Sequence, residues 1–199
     1  VLILSAMKHT TISCLQTLCA AALLLCGCTG APAVHLSGEE AYAPRHAEGY
    51  SIYATDGAST VIELRNPWQG GDSVRTQLFV SRGGELPPDG FDGVTVAAPV
   101  RRAVCFSSTH VAFLDALEAT QIIQGVSGAG YISNEKVRER YRRGDLRDVG
   151  YDSNVNYELL TALRPDIVFV YGVGGENNTL TDKFRELHIP FVYIGEYME

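Results

Sequence analysis

The sequence predicts an α/β protein: a Rossmann-like lobe of parallel strands and helices, preceded by a short β-hairpin region. Three observations carry this. After Arg102, apolar stretches of strand length alternate with amphipathic stretches of helical length. The best strand, residues 166–171, has the high apolar content of strands covered on both faces of a parallel sheet. Before Arg102, β-prone stretches at 51–53, 60–64, 77–80 and 94–96 are separated by turn clusters such as Asp56-Gly57, Gly70-Gly71 and Pro87-Pro88-Asp89-Gly90, which predicts hairpins.

The chain divides into four segments. In residues 1–27, Met7-Lys8-His9 precedes an apolar run over 15–25 that is too short for a membrane span but suits an export signal; residues 1–6 are an upstream extension. The run ends Leu25-Cys26-Gly27-Cys28, which resembles the bacterial lipobox. That resemblance implies lipid on Cys28, cleavage before it, and anchoring on the periplasmic side of a bacterial membrane. Residues 28–49 mix Ala, Pro, Gly, His and Glu without periodicity and are expected to form a flexible tether. Residues 50–100 are the β-rich region and 101–199 the lobe.

Within the lobe, a strand at 104–106 leads into a helix from about 109 to 119 bearing Val111, Leu114 and Leu117, then a strand at 122–126. A charged helix over 134–143 follows, in which Arg138, Arg140, Arg142 and Arg143 alternate with Glu135 and Glu139 at spacings that let opposite charges meet. After a short strand at 148–150, Val155, Leu159, Leu160 and Leu163 mark a helix stopped by Pro165. Beyond the strand at 166–171, Leu180, Phe184 and Leu187 give a helix, Pro190 ends it, and 191–194 is the next strand. Ending on a fresh strand leads us to expect a truncated reading frame.

A length of 199 residues with 46% apolar and 20% charged residues suits one ordinary domain. The formal charge of -7 argues against a nucleic-acid partner, which requires a basic face. Cys14, Cys19 and Cys26 fall in the signal and Cys28 takes the lipid, so Cys105 alone remains, expected as a small buried hydrophobe.

Ligands of open α/β sheets sit beyond the carboxyl ends of the strands, so the loops there are the candidate site. Ser107, Ser108, Thr109 and His110 join the first strand to its helix. Their hydroxyls and amides could hold carboxylate, catecholate or phosphate oxygens, and at least one hydroxyl is expected to cap the helix. His110 is either a ligand contact or, more ordinarily, a solvated histidine in the first helical turn. Tyr131 follows Gly128-Ala129-Gly130 after the second strand and offers an apolar plate with a polar tip. Tyr151, then Tyr171, Gly172 and Gly174, and finally Glu196 complete the rim.

Two rival readings use the same residues. Gly172-x-Gly174 with Glu196 downstream imitates the fingerprint of a Rossmann-type nucleotide-binding enzyme. However, Asn177 stands where the third glycine belongs, and a helix capped by Thr179 would start too late to hold pyrophosphate. A receptor binding zinc or manganese directly needs paired histidines. His35 and His46 lie in the tether, and His110 and His188 form no H-x-H or H-x₃₋₄-H pair. Hydrolase motifs such as G-x-S-x-G are missing as well, which leaves hydrolysis without support, and the reading as an enzyme ranks below that as a binding protein.

The run from Val149-Gly150-Tyr151 through Asn156-Tyr157-Glu158 to Leu163-Arg164-Pro165-Asp166-Ile167-Val168, followed by Leu187-His188-Ile189-Pro190-Phe191-Val192, carries a resemblance. In this order, residues 102–197 resemble the N-terminal lobe of the iron-siderophore/cobalamin family of periplasmic substrate-binding proteins of ABC transporters. Arg164 replaces the commoner lysine, and His188 stands where glycine is usual. The resemblance implies a two-lobed protein, here without its C-terminal lobe, that holds a ferric siderophore, haem or cobalamin in the cleft. It implies delivery to an inner-membrane ABC permease, with Glu158 at the position of a glutamate that pairs with permease arginines. No covalent group other than the N-terminal lipid is expected.

Overall fold

A computed structural model describes residues 36–42, 44–173 and 177–196. The expected signal, Cys28 and Gly174 lie outside the described residues. The remainder builds two five-stranded sheets.

The first sheet has the order β1-β2-β3-β4-β5, from Leu36–Tyr42, Tyr50–Thr55, Thr60–Arg65, Arg75–Ser81 and Val94–Ala97. The β2/β3 and β3/β4 pairs are antiparallel, as hairpins require. Two expectations are corrected here. β5 runs parallel to β4, with Leu78 opposite Val94, because the Pro-rich connection from Ser81 to Val94 is long enough to cross over. β1 lies inside the segment expected to be a tether and pairs antiparallel with β2. Its residues 37–42 are exposed, so backbone pairing at a polar edge holds it and no apolar alternation announces it.

The second sheet is parallel, in the order β10-β9-β6-β7-β8. β6 (Ala103–Cys105), α1 (Ser108–Ala116), β7 (Ile123–Val126), α2 (Glu135–Arg143) and β8 (Arg147–Asp148) run outward from the middle. The chain then returns across β6 through α3 (Tyr157–Leu163) to β9 (Ile167–Val170), and continues through α4 (Asn178–Glu186) to β10 (Phe191–Tyr193). Strand order therefore reverses between β6 and β9. α1 ends sooner than expected because Glu118 takes a left-handed φ of 54°, leaving Leu117 74% exposed. His188, where the resemblance expects glycine, likewise sits at φ 53°, a conformation that glycine adopts without strain.

Alternation along the parallel strands sorts their side chains into two layers. Ala103, Cys105, Ile123, Ile167 and Val192 face Val111 and Leu114 of α1, Val137 of α2, and Leu78 and Val96 of the first sheet. Val104, Val168, Val170 and Tyr193 face Leu160 of α3 and Phe184 of α4. The first sheet is thus one wall of the lobe's own core. Cys105 is fully buried, and burial pushes its thiol up to about 12, so it packs as an inert small side chain.

Polar pairs fix the ends of these elements. Asp166 accepts from the amides of Arg101 (2.8 Å) and Arg102 (2.9 Å) and from the Arg102 guanidinium (2.7 Å), tying the entrances of β6 and β9 together. On α2 the expected ion pairs form: Glu135 with Arg138 and Arg142, and Glu139 with Arg143.

Candidate functional site

Strand order reverses between β6 and β9, and it is at such a reversal, beyond the carboxyl ends of the strands, that sheets of this kind form a crevice and take ligands. Ser107 leaves β6 in an extended conformation (φ -137°) and caps α1, its Oγ accepting from the Thr109 amide at 3.1 Å. The same hydroxyl donates to Glu196 Oε1 at 2.9 Å, joining the β6 loop to the segment after β10. Ser108 is exposed and Thr109 partly so, leaving their hydroxyls near the rim.

His110 is not solvated as expected; it is 1% exposed. α1 turns its ring inward, toward the rings of Phe169 (6.0 Å) and Tyr171 (6.5 Å). Its Nε2 lies 3.5 Å from Glu196 Oε2, whose side chain is 2% exposed. Neither ring nitrogen nor that carboxylate oxygen completes a hydrogen bond of good geometry. Burial pushes the imidazole from 6.5 down to about 4, against a smaller upward pull from the Phe169 carbonyl. Ser107, His110, Tyr171 and Glu196 therefore lie together. His110 and Glu196, however, form the floor beneath the crevice and not its rim.

A second group stands at the carboxyl ends of β7 and β8. Tyr131 is 72% exposed and Tyr151 47%, and their ring centroids are 5.1 Å apart at 47°. Sequence reasoning missed the residue that holds them. Asp148 accepts from the amides of Gly128 (3.0 Å), Ala129 (2.8 Å) and Gly150 (3.0 Å), linking both tyrosine-bearing loops. An acidic residue closing a strand just before Val149-Gly150 was the available signal.

Two features bear on the rivals and on docking. α4 is capped by Asn177, not Thr179, with Oδ1 accepting from the Leu180 amide at 3.3 Å. A side chain thus already holds an amide that a pyrophosphate would need. Among the described residues, no three His, Cys, Asp or Glu side chains converge as metal ligands do. Glu158 is exposed in the first turn of α3, behind an Asn156 cap that accepts from the Leu159 amide at 2.9 Å.

No protein-family model matches this chain. Two uncharacterized lipoproteins of Methanocaldococcus jannaschii are similar. One is 29% identical over 117 residues, 56% of this chain and 28% of that relative. The other is 30% identical over 131 residues, 64% of this chain and 33% of that relative. The match therefore spans about a third or less of the relatives' length. Among solved structures, the molybdate periplasmic binding protein of Haemophilus influenzae gives a TM-score of 0.39 at 29% identity, covering 51% of this chain and 31% of its own. The petrobactin-binding protein of Bacillus subtilis gives 0.42 at 16% identity, covering 68% and 38%. The periplasmic vitamin B12 binding protein of Vibrio cholerae gives 0.35 at 18% identity, covering 47% and 34%. The relatives in sequence are thus named lipoproteins, and the neighbours in structure are named binding proteins.

Proposed function

We propose that this chain belongs to a lipid-anchored substrate-binding protein of an ABC transporter, which captures a ferric siderophore, haem or cobalamin and presents it to an inner-membrane permease. One observation carries the reading. The strand order reverses between β6 and β9, and the described loops at that edge of the sheet bear hydroxyls and exposed tyrosines. The work is capture and release, with no bond made or broken. Ser108 and Thr109 offer hydroxyls at the rim, Tyr131 and Tyr151 offer ring faces, and Tyr171 and Gly172 stand in the loop after β9. Ser107, His110 and Glu196 set the positions of those loops from below.

The lipobox at Cys28 and the lipoprotein names of the two sequence relatives support the anchor. No helix among the described residues is long and apolar enough to cross a membrane. Glu158 serves as the docking carboxylate for the permease.

Titration of the complete protein, followed by fluorescence of Trp68, tests the reading against a ferric siderophore, haem, cobalamin, NAD and zinc. Saturable binding of one of the first three is expected. Saturation by NAD or zinc with none of those three would overturn it.

A further inference from the structure

We infer that Tyr131 and Tyr151 form a preassembled aromatic platform, positioned by Asp148, that selects ligands carrying a planar aromatic ring. This rests on the capture role proposed above and narrows the ligand to ring-bearing chelates of the catecholate type.

The platform is built from below. A Cβ at Gly128 would stand 2.8 Å from Tyr131 Cδ2 and 3.1 Å from Tyr151 Cδ2, so both rings lie across a bare Cα. Gly128 also holds φ at 68°, the left-handed turn that opens the short 3-10 turn Ala129–Tyr131. Tyr131 closes that turn through its amide, which donates to the Gly128 carbonyl at 2.9 Å. The single carboxylate of Asp148 then grips Gly128 and Ala129 on one loop and Gly150, next to Tyr151, on the other. Charge-assisted hydrogen bonds to backbone amides are roughly twice as strong as neutral ones.

Such fixing has a use only if the rings must keep their places. Two tyrosines left 72% and 47% exposed gain little from water, yet they are held against each other at 5.1 Å. A rigid pair with its outer faces open meets a planar ring with little ordering cost, in the offset or tilted geometry that aromatic quadrupoles favour. Because the sheet is parallel, the carboxyl ends of β7 and β8 lie at the same edge as the crevice between β6 and β9. A chelate seated in that crevice can therefore extend a ring onto the platform. A chelate built only from hydroxamates has no ring to offer.

The test compares two probes on the complete protein: ferric tris(2,3-dihydroxybenzoate) and a linear ferric trihydroxamate without aromatic groups. The catecholate is expected to bind more tightly, and the ratio of the two affinities should fall about tenfold in the Tyr131→Ala/Tyr151→Ala double variant. Asp148→Asn and Gly128→Ala, which disturb the platform while keeping both rings, should each lower the same ratio. Near-UV circular dichroism shows whether the tyrosines have lost their fixed setting. An unchanged ratio in the double variant overturns the platform while leaving the capture role standing. Should neither chelate bind, saturation-transfer NMR with free 2,3-dihydroxybenzoate decides the matter. A signal lost in the double variant keeps the platform and overturns the iron-chelate reading, whereas no signal with the parent protein overturns the platform too.

Discussion

Burial of His110 makes the fold sensitive to acid. Above pH 6.5 the ring is neutral in both the folded and unfolded chain, so its titration leaves stability untouched. Between 6.5 and about 4 the unfolded chain accepts a proton that the folded one refuses, and stability is lost as pH falls through that window. The shift corresponds to a loss on the order of 3 kcal/mol, since each pKa unit is worth about 1.4 kcal/mol. The Phe169 carbonyl pulls in the opposite direction, and burial outweighs it. Urea melts of the parent should therefore weaken more steeply from pH 6.5 to 4.5 than those of His110→Leu, in which nothing titrates at this position. Parallel slopes for the two proteins would show that the buried ring does not control acid stability.

Among the elements, Asp166 does for β6 and β9 what Asp148 does for the rim. Its partial burial pushes the carboxyl up, but the Arg102 guanidinium and the Arg101 and Arg102 amides together hold it below the usual carboxylate range. Among the groups that lower it, the Arg102 guanidinium comes first, ahead of either amide. Replacing Asp166 by Ala should cost about 1–2 kcal/mol at pH 7, read as a lower urea midpoint, because two strand-entrance amides lose their acceptor. The difference should shrink as pH falls through the depressed pKa and the parent's own carboxylate is protonated. This aspartate was legible in the sequence as part of Leu163-Arg164-Pro165-Asp166, and so were the strands around it, whose apolar runs are covered on both faces. The elements that sequence missed lack that signature. β1 is exposed and held by its backbone, and the parallel seat of β5 depends on a partner rather than on its own pattern. The crevice floor was the least legible part, for Ser107 and Glu196 meet across 89 residues of chain, and no local spacing links His110 to a carboxylate after β10.

At the scale of the whole molecule, the layers put the ligand loops and the start of α3 at one edge. α3 follows β8 in a parallel sheet, so its first turn lies at the carboxyl ends of the strands, beside the rim. Leu160 is fully buried, which fixes the rotation of α3 and leaves Glu158 facing solvent. Under the proposed function, a permease that grips Glu158 would therefore sit beside these loops. An exposed charge contributes little to static affinity but much to steering and orientation. Glu158→Arg changes the local charge by two units without touching the core, so ligand affinity of the complete protein should hold. Transport by the reconstituted permease should fall by about tenfold at 0.01 M salt, where the screening length is about 30 Å, and by much less at 1 M, where it is about 3 Å. If transport by the variant matches the parent at low salt while ligand binding is normal, Glu158 has no part in docking, and the permease must hold the lobe elsewhere.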